Sequence, residues 1–472
     1  MTIQKKASFS LLQQLGAIFI ALVTIAVCVL PMDKLPLWNG EIPAHRNQYE
    51  LMAEAILDGR VEFAYGDEHY MEQLENPYDP QARKDAGVPY HWDHAYYNGH
   101  YYMYFGIVPV FLAFLPYRVL TGNSLTTYHA TQLFVALAII GIFVLFQLLR
   151  KLFFPRLPYY LYLLLSVAFS VMSVWYSIAE PALYCTAITC AIMLEIWSLY
   201  FFVCAVWGEA KENKQILLAG IGAAFGALVF GCRPPIALAN IIVIPILIVF
   251  LRKRKFSLKL LGKLLLAALP YAIVAAGLMI YNYARFQNPF EFGQAYQLTV
   301  ADQTNYSISL NAPTLVRIFN NTLKNFFQIG TLTVEFPYVG AASVFYNFPI
   351  LYLGVGMFLP GVRQTLRNHK LLPLVYGIIV SVLVITAMDI LWTPYLLERY
   401  RMDIYFLMGI GCFLVLGCWH QCCTGKKQKF FSLVLVILSL LTIFSAFFLC
   451  VDTVGVYYPE KVSEIAQLLH LD

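Results

Sequence analysis

Residues 127–149, TYHATQLFVALAIIGIFVLFQLL, form an apolar run without Asp, Glu, Lys or Arg, and Arg150 and Lys151 follow it directly. A helix of about 20 apolar residues is long enough to cross the hydrocarbon core of a bilayer. The whole chain has this character, because 60% of its 472 residues are hydrophobic and only 12% are charged. Soluble proteins are about 45–50% apolar and about 25% charged. The composition therefore predicts an all-α polytopic membrane protein.

Apolar runs of this length recur along the chain and predict eleven transmembrane helices in one domain over residues 1–472. Their limits are 11–30, 127–149, 157–178, 182–207, 215–231, 235–251, 261–283, 344–361, 371–392, 403–420 and 430–451. The first run follows Lys5 and Lys6, is too long for the apolar region of a cleavable signal peptide and lacks a small-residue cleavage site. We expect it to be a signal anchor.

The basic residues between these runs predict which loops face the cytoplasm. Nineteen of the 32 Lys and Arg residues lie in short segments that alternate with longer segments poor in both, and short cytoplasmic loops carry such an excess. We expect a cell-membrane protein with a cytoplasmic N-terminus, a C-terminus outside and two long outer loops, 31–126 and 284–343. The net charge of +5 is dispersed between the runs, which argues against a nucleic-acid partner. The cytoplasmic connectors are short and the long loops lie outside, so the chemistry is expected at the outer face, and the absence of a P-loop motif argues against a P-loop motor.

Two segments outside the spans have the spacing of interfacial helices. In the first outer loop, Tyr49, Met52, Ala53 and Ile56 recur at helical spacing, and Gly59 supplies a stop. This helix is expected to lie along the membrane interface or to pack on the bundle. The C-terminal segment 452–472 repeats the pattern after Pro459 and predicts a second interfacial helix.

The most distinctive part of the first loop is residues 89–106, PYHWDHAYYNGHYYMYFG. Asn98-Gly99 between aromatic runs predicts a β-hairpin with a type I′ turn. Aromatic rings stack on the apolar face of a sugar, and Tyr and Trp also suit the membrane interface. An interfacial role does not explain Asp93 among them. The following residues 107–120 are apolar but short and interrupted by prolines, which predicts a re-entrant or interfacial segment.

Three arginines lie where predicted spans meet the outer face. Arg233 occupies a tight turn, GCRPP, at residues 231–235, and Arg399 and Arg401 precede the tenth span. Cations at outer span ends oppose the positive-inside trend. One interpretation is a site for lipid phosphate or pyrophosphate, since the guanidinium group matches phosphate oxygens. The alternative is local ion pairing, for example of Arg399 with Glu398 or Asp389.

The order of one span, a long outer loop with an interfacial helix, and ten further spans resembles the GT-C superfamily of polyprenyl-phosphate-dependent glycosyltransferases. That superfamily includes protein O-mannosyltransferases and lipid A aminoarabinose transferases. Six motifs look like a bacterial branch of it, namely residues 77–80 (PYDP), 92–93 (WD), 97–102 (YNGHYY), 104–106 (YFG), 233–234 (RP) and 288–293 (NPFEFG). The resemblance implies a lipid-phosphate sugar donor at the outer face and an acidic first-loop residue that deprotonates the acceptor.

The expected activity is transfer of a sugar from a polyprenyl-phosphate-linked donor to a lipid, glycan or protein acceptor. The family's acidic pair ahead of the first-loop helix is missing, because residues 45–49 read HRNQY. Asp93 or Glu41 is therefore expected as the general base. The other site predictions are phosphate contacts from Arg399, Arg401 and Arg233, and a substrate cleft lined by Trp92, Tyr97 and Tyr101. Arg401 is preferred to Arg399, which has Glu398 beside it.

Two other functions compete with this one. A transporter or flippase for lipid-linked glycans fits the missing acidic pair, but no internal repeat of the kind that builds transporters is evident. A non-catalytic scaffold for cell-envelope assembly is the third hypothesis. No metal ligands are predicted, and the sequence leaves metal dependence open.

Overall fold

The computed structural model describes residues 10–30, 47–181, 183–252, 254–255, 257–305, 309–393 and 397–471. Within these ranges ten helices are long and apolar enough to cross a membrane. They are α1 Leu11–Val29, α2 Thr127–Phe153, α3 Tyr159–Ala179, α4 Leu183–Trp207, α5 Glu212–Phe230, α6 Pro234–Leu251, α7 Leu258–Phe286, α8 Leu372–Trp392, α9 Glu398–Cys422 and α10 Gly425–Tyr457. The predicted polytopic all-α class is confirmed.

The prediction of one continuous helix at the eighth span, 344–361, was wrong. The segment is divided into an α-turn Val344–Asn347, a 3₁₀ helix Pro349–Phe358 and a helix Pro360–Asn368. Proline and glycine are the poorest residues in an α-helix interior, and both recur in this stretch. The segment nevertheless runs beside α9.

Three contacts fix its direction against α9. The Phe348 and Tyr405 ring centroids lie 5.0 Å apart, the Cys412 Sγ lies 3.5 Å from the Ile350 carbonyl oxygen, and Trp419 packs on Gly356. Tyr405 and Trp419 are about 21 Å apart along α9 at the α-helical rise of 1.5 Å per residue. The broken segment thus follows α9, parallel to it, for most of the hydrocarbon thickness.

The centre of the bundle is formed by α2, α3, α4 and α9. Phe146 of α2 stacks on Phe413 of α9 with ring centroids 3.9 Å apart, and Phe169 and Met172 of α3 pack against Gly409 of α9. Association of helices in lipid depends on such close packing, which small residues permit. The rigid centre positions the outer ends of α3, α4 and α9 relative to one another.

The predicted hairpin is confirmed and belongs to a three-stranded antiparallel sheet. The strands are β1 Glu62–Phe63, β2 Ala95–Tyr97 and β3 His100–Tyr102, in the order β1-β3-β2. Asn98 and Gly99 have φ values of 50° and 80°, as a type I′ turn requires at both central positions. The two-residue strand β1 is too short to leave a period in the sequence.

The second outer loop adds to the free edge of β2. The Tyr96 N–H donates to the Tyr296 carbonyl oxygen at 2.9 Å, and the Leu298 N–H donates to the His94 carbonyl oxygen at 2.9 Å. Arg83 of the first loop donates to the Thr299 carbonyl oxygen at 2.7 Å. The two outer loops are therefore one structural unit.

Shorter helices complete both loops and the C-terminus. They are Gln48–Leu57, His69–Glu72, Pro80–Ala86, the π-helix Val110–Phe114, Leu115–Thr121, Ala312–Phe327 and Pro459–Leu468. The first has a capping box of Asn47 and Glu50 and packs through Tyr49 on Phe114, with ring centroids 5.2 Å apart. The apolar segment after the hairpin is short, as predicted, and packs against the helix Gln48–Leu57 through Phe114.

Candidate functional site

Asp93 is held by its backbone from two sides. Its φ of 56° lies in the left-handed region, where Asp is among the few residues other than Gly that are tolerated. Its N–H donates to the Leu298 carbonyl oxygen at 3.0 Å, and its own carbonyl oxygen accepts from Gln48 Nε2 at 2.8 Å. The second outer loop and the first-loop helix together fix its position immediately before β2.

The Asp93 carboxylate is buried, with 5% of the residue exposed, and both its oxygens have donors. Gln297 Nε2 donates to Oδ1 at 2.8 Å, and the Tyr184 hydroxyl donates to Oδ2. Burial raises the pKa of the Asp93 carboxyl above its usual range, while these hydrogen bonds and the charge of Arg399 act in the opposite direction. A carboxylate has about four lone-pair sites, so Asp93 keeps acceptor capacity for a substrate hydroxyl.

Arg399 packs on the ring of Tyr184, whose hydroxyl contacts Asp93. Its guanidinium carbon is 4.1 Å from the centroid of the Tyr184 ring and 5.5 Å from that of Tyr400. In the part of the chain that the structure describes, no carboxylate lies within ion-pair distance of Arg399. A cation held on aromatic faces keeps N–H donors for an anion.

The expected competition between Glu398 and Arg399 was wrong. Glu398 pairs with Arg401, whose Nη1 donates to its two carboxylate oxygens at 2.7 and 2.6 Å, and Arg401 Nε donates to Asn325 Oδ1 at 2.9 Å. Residues three apart share a helix face, whereas adjacent residues do not. Arg401 therefore joins α9 to the second-loop helix Ala312–Phe327, and the reason for preferring it to Arg399 as a phosphate contact does not hold.

Arg233 forms an ion pair with the fully buried carboxylate of Asp403. Its Nε donates to the Asp403 carboxylate oxygens at 2.9 and 2.7 Å, and its guanidinium carbon is 4.9 Å from the Tyr400 ring centroid. The Tyr400 ring thus contacts two arginines. The turn carrying Arg233 packs tightly on Gly106, where a Cβ atom would collide with the Gly231 carbonyl oxygen.

The three predicted aromatic lining residues lie in different places. Trp92 is 46% exposed beside Asp93. Tyr97 packs on Tyr296 and Phe286, with ring centroids 4.6 and 5.8 Å away. Tyr101 is completely buried in the sheet, so it lines no accessible cleft, and that prediction was wrong.

Several side chains around Asp93 had no signal of their own in the sequence. Tyr184, Gln297 and Gln48 contact Asp93 from distant parts of the chain. Glu180 is half-buried and accepts from the Tyr176 hydroxyl at 3.0 Å. Partial burial raises its pKa, and the Tyr176 hydrogen bond and the charge of Arg399 oppose that shift. The only sequence feature that they share is a position in a predicted outer loop or at the predicted outer end of a span.

Two other site predictions concern Glu41 and metals. Glu41 lies outside the described residues, so its role as an alternative base stays a prediction. Within the described ranges, no group of three His, Cys, Asp or Glu side chains is arranged to hold a metal ion.

Comparisons with known proteins give matches in structure. No protein-family model matches the chain, and no curated protein matches it in sequence. The apo oligosaccharyltransferase of Archaeoglobus fulgidus is 12% identical with a TM-score of 0.53, covering 95% of this chain and 57% of that one. The oligosaccharyltransferase AglB from the same organism, in complex with an inhibitory peptide and a dolichol-phosphate, is 11% identical with a TM-score of 0.47, covering 93% and 56%. ArnT from Cupriavidus metallidurans, bound to undecaprenyl phosphate, is 12% identical with a TM-score of 0.42, covering 94% and 76%.

The chain spans just over half the length of the archaeal oligosaccharyltransferase. At 12% identity this likeness establishes the fold and assigns no role to any residue. The chain shares the fold of that oligosaccharyltransferase, and the polytopic architecture that the sequence predicted is confirmed.

Proposed function

We propose that this protein transfers a sugar from a polyprenyl-phosphate-linked donor to an acceptor hydroxyl at the outer face of the membrane. The observation that carries the proposal is the placement of Asp93 and Arg399 on the hydroxyl and the ring of one residue, Tyr184. A base and a phosphate-binding cation on adjacent sides of one side chain are what this reaction needs.

Each of the two residues has a defined task. The acceptor oxygen attacks the anomeric carbon, and its proton passes to the Asp93 carboxylate. The bond between that carbon and the phosphate oxygen breaks, and the phosphate leaves with the bonding electrons. Arg399 stabilises the negative charge that develops on the phosphate. A single displacement of this kind inverts the anomeric configuration.

The burial of Asp93 supports a functional role for it. Removing a charged group from water is costly unless it is paired and hydrogen-bonded. Here Gln297 of the second outer loop and Tyr184 of α4 supply the compensating donors to the carboxylate, and Gln48 of the first loop donates to the Asp93 backbone carbonyl. Carboxylates with perturbed pKa values and specific charged neighbours are concentrated at functional sites.

The arrangement also suggests how the substrates divide the site. Trp92, exposed beside Asp93, is placed to stack on the sugar or acceptor, with Tyr97 farther along the sheet. Arg233 is engaged with Asp403 and would contribute positive potential rather than a primary phosphate contact. The solved structure with the same fold, an oligosaccharyltransferase, agrees with a glycosyltransferase.

A transfer assay tests the proposal. Purified protein in lipid nanodiscs is incubated with undecaprenyl phosphate carrying a labelled hexose and with lipid, glycan and peptide acceptors, using a panel of sugars, and acceptor-dependent release of undecaprenyl phosphate is measured. We expect Asp93→Asn to reduce release by about 10²–10⁴-fold, the usual contribution of a general base. The matched control is Asp85→Asn, which changes an exposed carboxylate of the same loop. Wild-type release from a folded Asp93→Asn protein would reject Asp93 as the base.

A further inference from the structure

A cavity of about 410 Å³ lies at the end of the bundle opposite Asp93. Its polar wall comes from three places in the chain: Arg156 precedes α3, His420 lies in the last turn of α9, and Gln428, Lys429 and Ser432 belong to the first turns of α10. Since α3 and α9 have their other ends at Glu180 and Arg399, this cavity is separated from the candidate site by the thickness of the bundle.

The wall is polar at one end and apolar at the other. His420 is buried, its Nε2 lies 3.1 Å from the Ser432 hydroxyl, and Ser432 also donates to the Gln428 carbonyl oxygen at 2.9 Å. Leu433 and Val436, one turn farther into α10, line the apolar end, and Leu433 is exposed on the bundle surface. The cavity therefore opens along a surface that hydrocarbon chains would cover.

The basic residues around this cavity have no acidic residues near them in the sequence. Asp and Glu are absent from residues 151–179 and from residues 404–451, and the first turns of α3 and α10 contain no acid and no side-chain cap. A helix N-terminus carries partial positive charge, so Lys426, Lys427 and Lys429 at the start of α10 repel it. An anion bound between these two N-termini would relieve that repulsion.

We infer that this cavity binds the phosphate group of an anionic membrane lipid. Arg156 and Lys429 would contact the phosphate oxygens, and the lipid chain would lie along Leu433 and Val436. Basic pockets between helices at the cytoplasmic side of a membrane are suited to such headgroups. The site is independent of the proposed transfer reaction, because no residue of it contacts Asp93, Tyr184 or Arg399 in the described structure.

Native mass spectrometry of the detergent-purified full chain tests this inference. Phosphatidylglycerol, undecaprenyl phosphate and phosphatidylcholine are titrated separately, with inorganic phosphate as a soluble competitor. We expect the variant Arg156→Gln/Lys429→Gln to bind at least one of the two anionic lipids about tenfold or more weakly, since each lost cation removes an attraction to the lipid phosphate. The control Lys211→Gln/Lys214→Gln, which removes two cations from the N-cap and the first turn of α5, should bind as the wild type does.

The two anionic lipids distinguish the two possible sources of the bound phosphate group. Weakened binding of phosphatidylglycerol alone identifies a bulk-lipid site, and weakened binding of undecaprenyl phosphate alone identifies a carrier-lipid site. Equal losses in the two double variants, or binding of inorganic phosphate without either anionic lipid, would overturn the inference. Because undecaprenyl phosphate also fits the outer site, its binding is measured in the Arg399→Gln background, so that failure of one site is distinguished from failure of the other.

Discussion

The Tyr184 hydroxyl donates a hydrogen bond to the Asp93 carboxylate across 91 residues of sequence. The same ring lies 4.1 Å from the Arg399 guanidinium carbon, so Tyr184 connects the candidate base to the candidate phosphate contact. Its ring and its hydroxyl have separate tasks that substitution can distinguish.

Substitution of Tyr184 should separate catalysis from donor binding. Tyr184→Phe keeps the ring under Arg399 but removes the donor to Asp93, and a hydrogen bond to a charged group contributes about 1.5–3 kcal/mol. We expect transfer to fall by at least about tenfold, with the affinity for undecaprenyl phosphate unchanged. Tyr184→Leu also removes the cation–π contact and should weaken the binding of that lipid. Identical donor affinities and rates in both variants would contradict this division of tasks.

Transfer should depend on pH through Asp93. Burial raises the pKa of the Asp93 carboxyl, and a general base must be deprotonated to act. The value of kcat/KM should therefore rise with pH, with a midpoint above the pKa of about 3.9 of a free Asp. Gln297→Leu removes a donor that favours the charged form, which should move this midpoint to higher pH. The control Gln294→Leu should leave it unchanged. A midpoint that is the same in all three proteins would exclude Asp93 as the titrating group.

The same raised pKa predicts a stability effect of known sign. Because protonated Asp93 is favoured in the folded state, its stabilising contribution is present at pH below the unfolded pKa and is lost as pH rises through the folded pKa. Relative to Asp93→Asn, the wild type should therefore lose thermal stability between acidic and neutral pH. Parallel melting curves across this range would show that Asp93 is not perturbed.

Arg399 and Arg401 should respond differently to replacement by Leu. Arg401 is buried and bonded to Glu398 and Asn325, and breaking a buried ion pair costs roughly 3–5 kcal/mol, less here because Glu398 is partly exposed. Arg401→Leu should lower the unfolding temperature and increase protease cleavage near residues 309–330. Arg399→Leu should instead weaken binding of undecaprenyl phosphate with little change in stability. The reverse pattern would restore Arg401 as the phosphate contact.

The side of the membrane on which the C-terminus lies tests whether the broken segment beside α9 is a span. If residues 344–368 cross the membrane together with the ten long helices, the C-terminus lies outside when the N-terminus is cytoplasmic. A periplasm-dependent reporter fused after residue 471 should then be active, and a cytoplasm-dependent reporter should not. The opposite result would remove this segment from the count of spans.

Local signals in the sequence predicted the local parts of the structure. The turn at Asn98-Gly99 and the helix Gln48–Leu57 follow from backbone preferences and spacing that lie within a few residues. Apolar length predicted a membrane span at residues 344–361, but it does not distinguish a 3₁₀ helix from an α-helix.

The site itself depends on contacts that no local signal carries. Gln297 and Asp93 are 204 residues apart in sequence, and Tyr184 resembles many other tyrosines in a chain that has 32 of them. The pairing of Arg401 with Glu398, by contrast, follows from helix geometry once Glu398 is placed in the first turn of α9.

The most direct test of the proposed site is the position of a bound carrier lipid. A cryo-EM structure of the protein with undecaprenyl phosphate in nanodiscs should place a phosphate oxygen about 3 Å from an Arg399 nitrogen, on the side of Tyr184 that faces Asp93. The same experiment on Arg399→Gln should lose that density and keep any lipid near Lys429. A phosphate bound to Arg401, or carrier lipid found only at the end of the bundle that contains Lys429, would contradict the assignment of Asp93, Tyr184 and Arg399 as the transfer site.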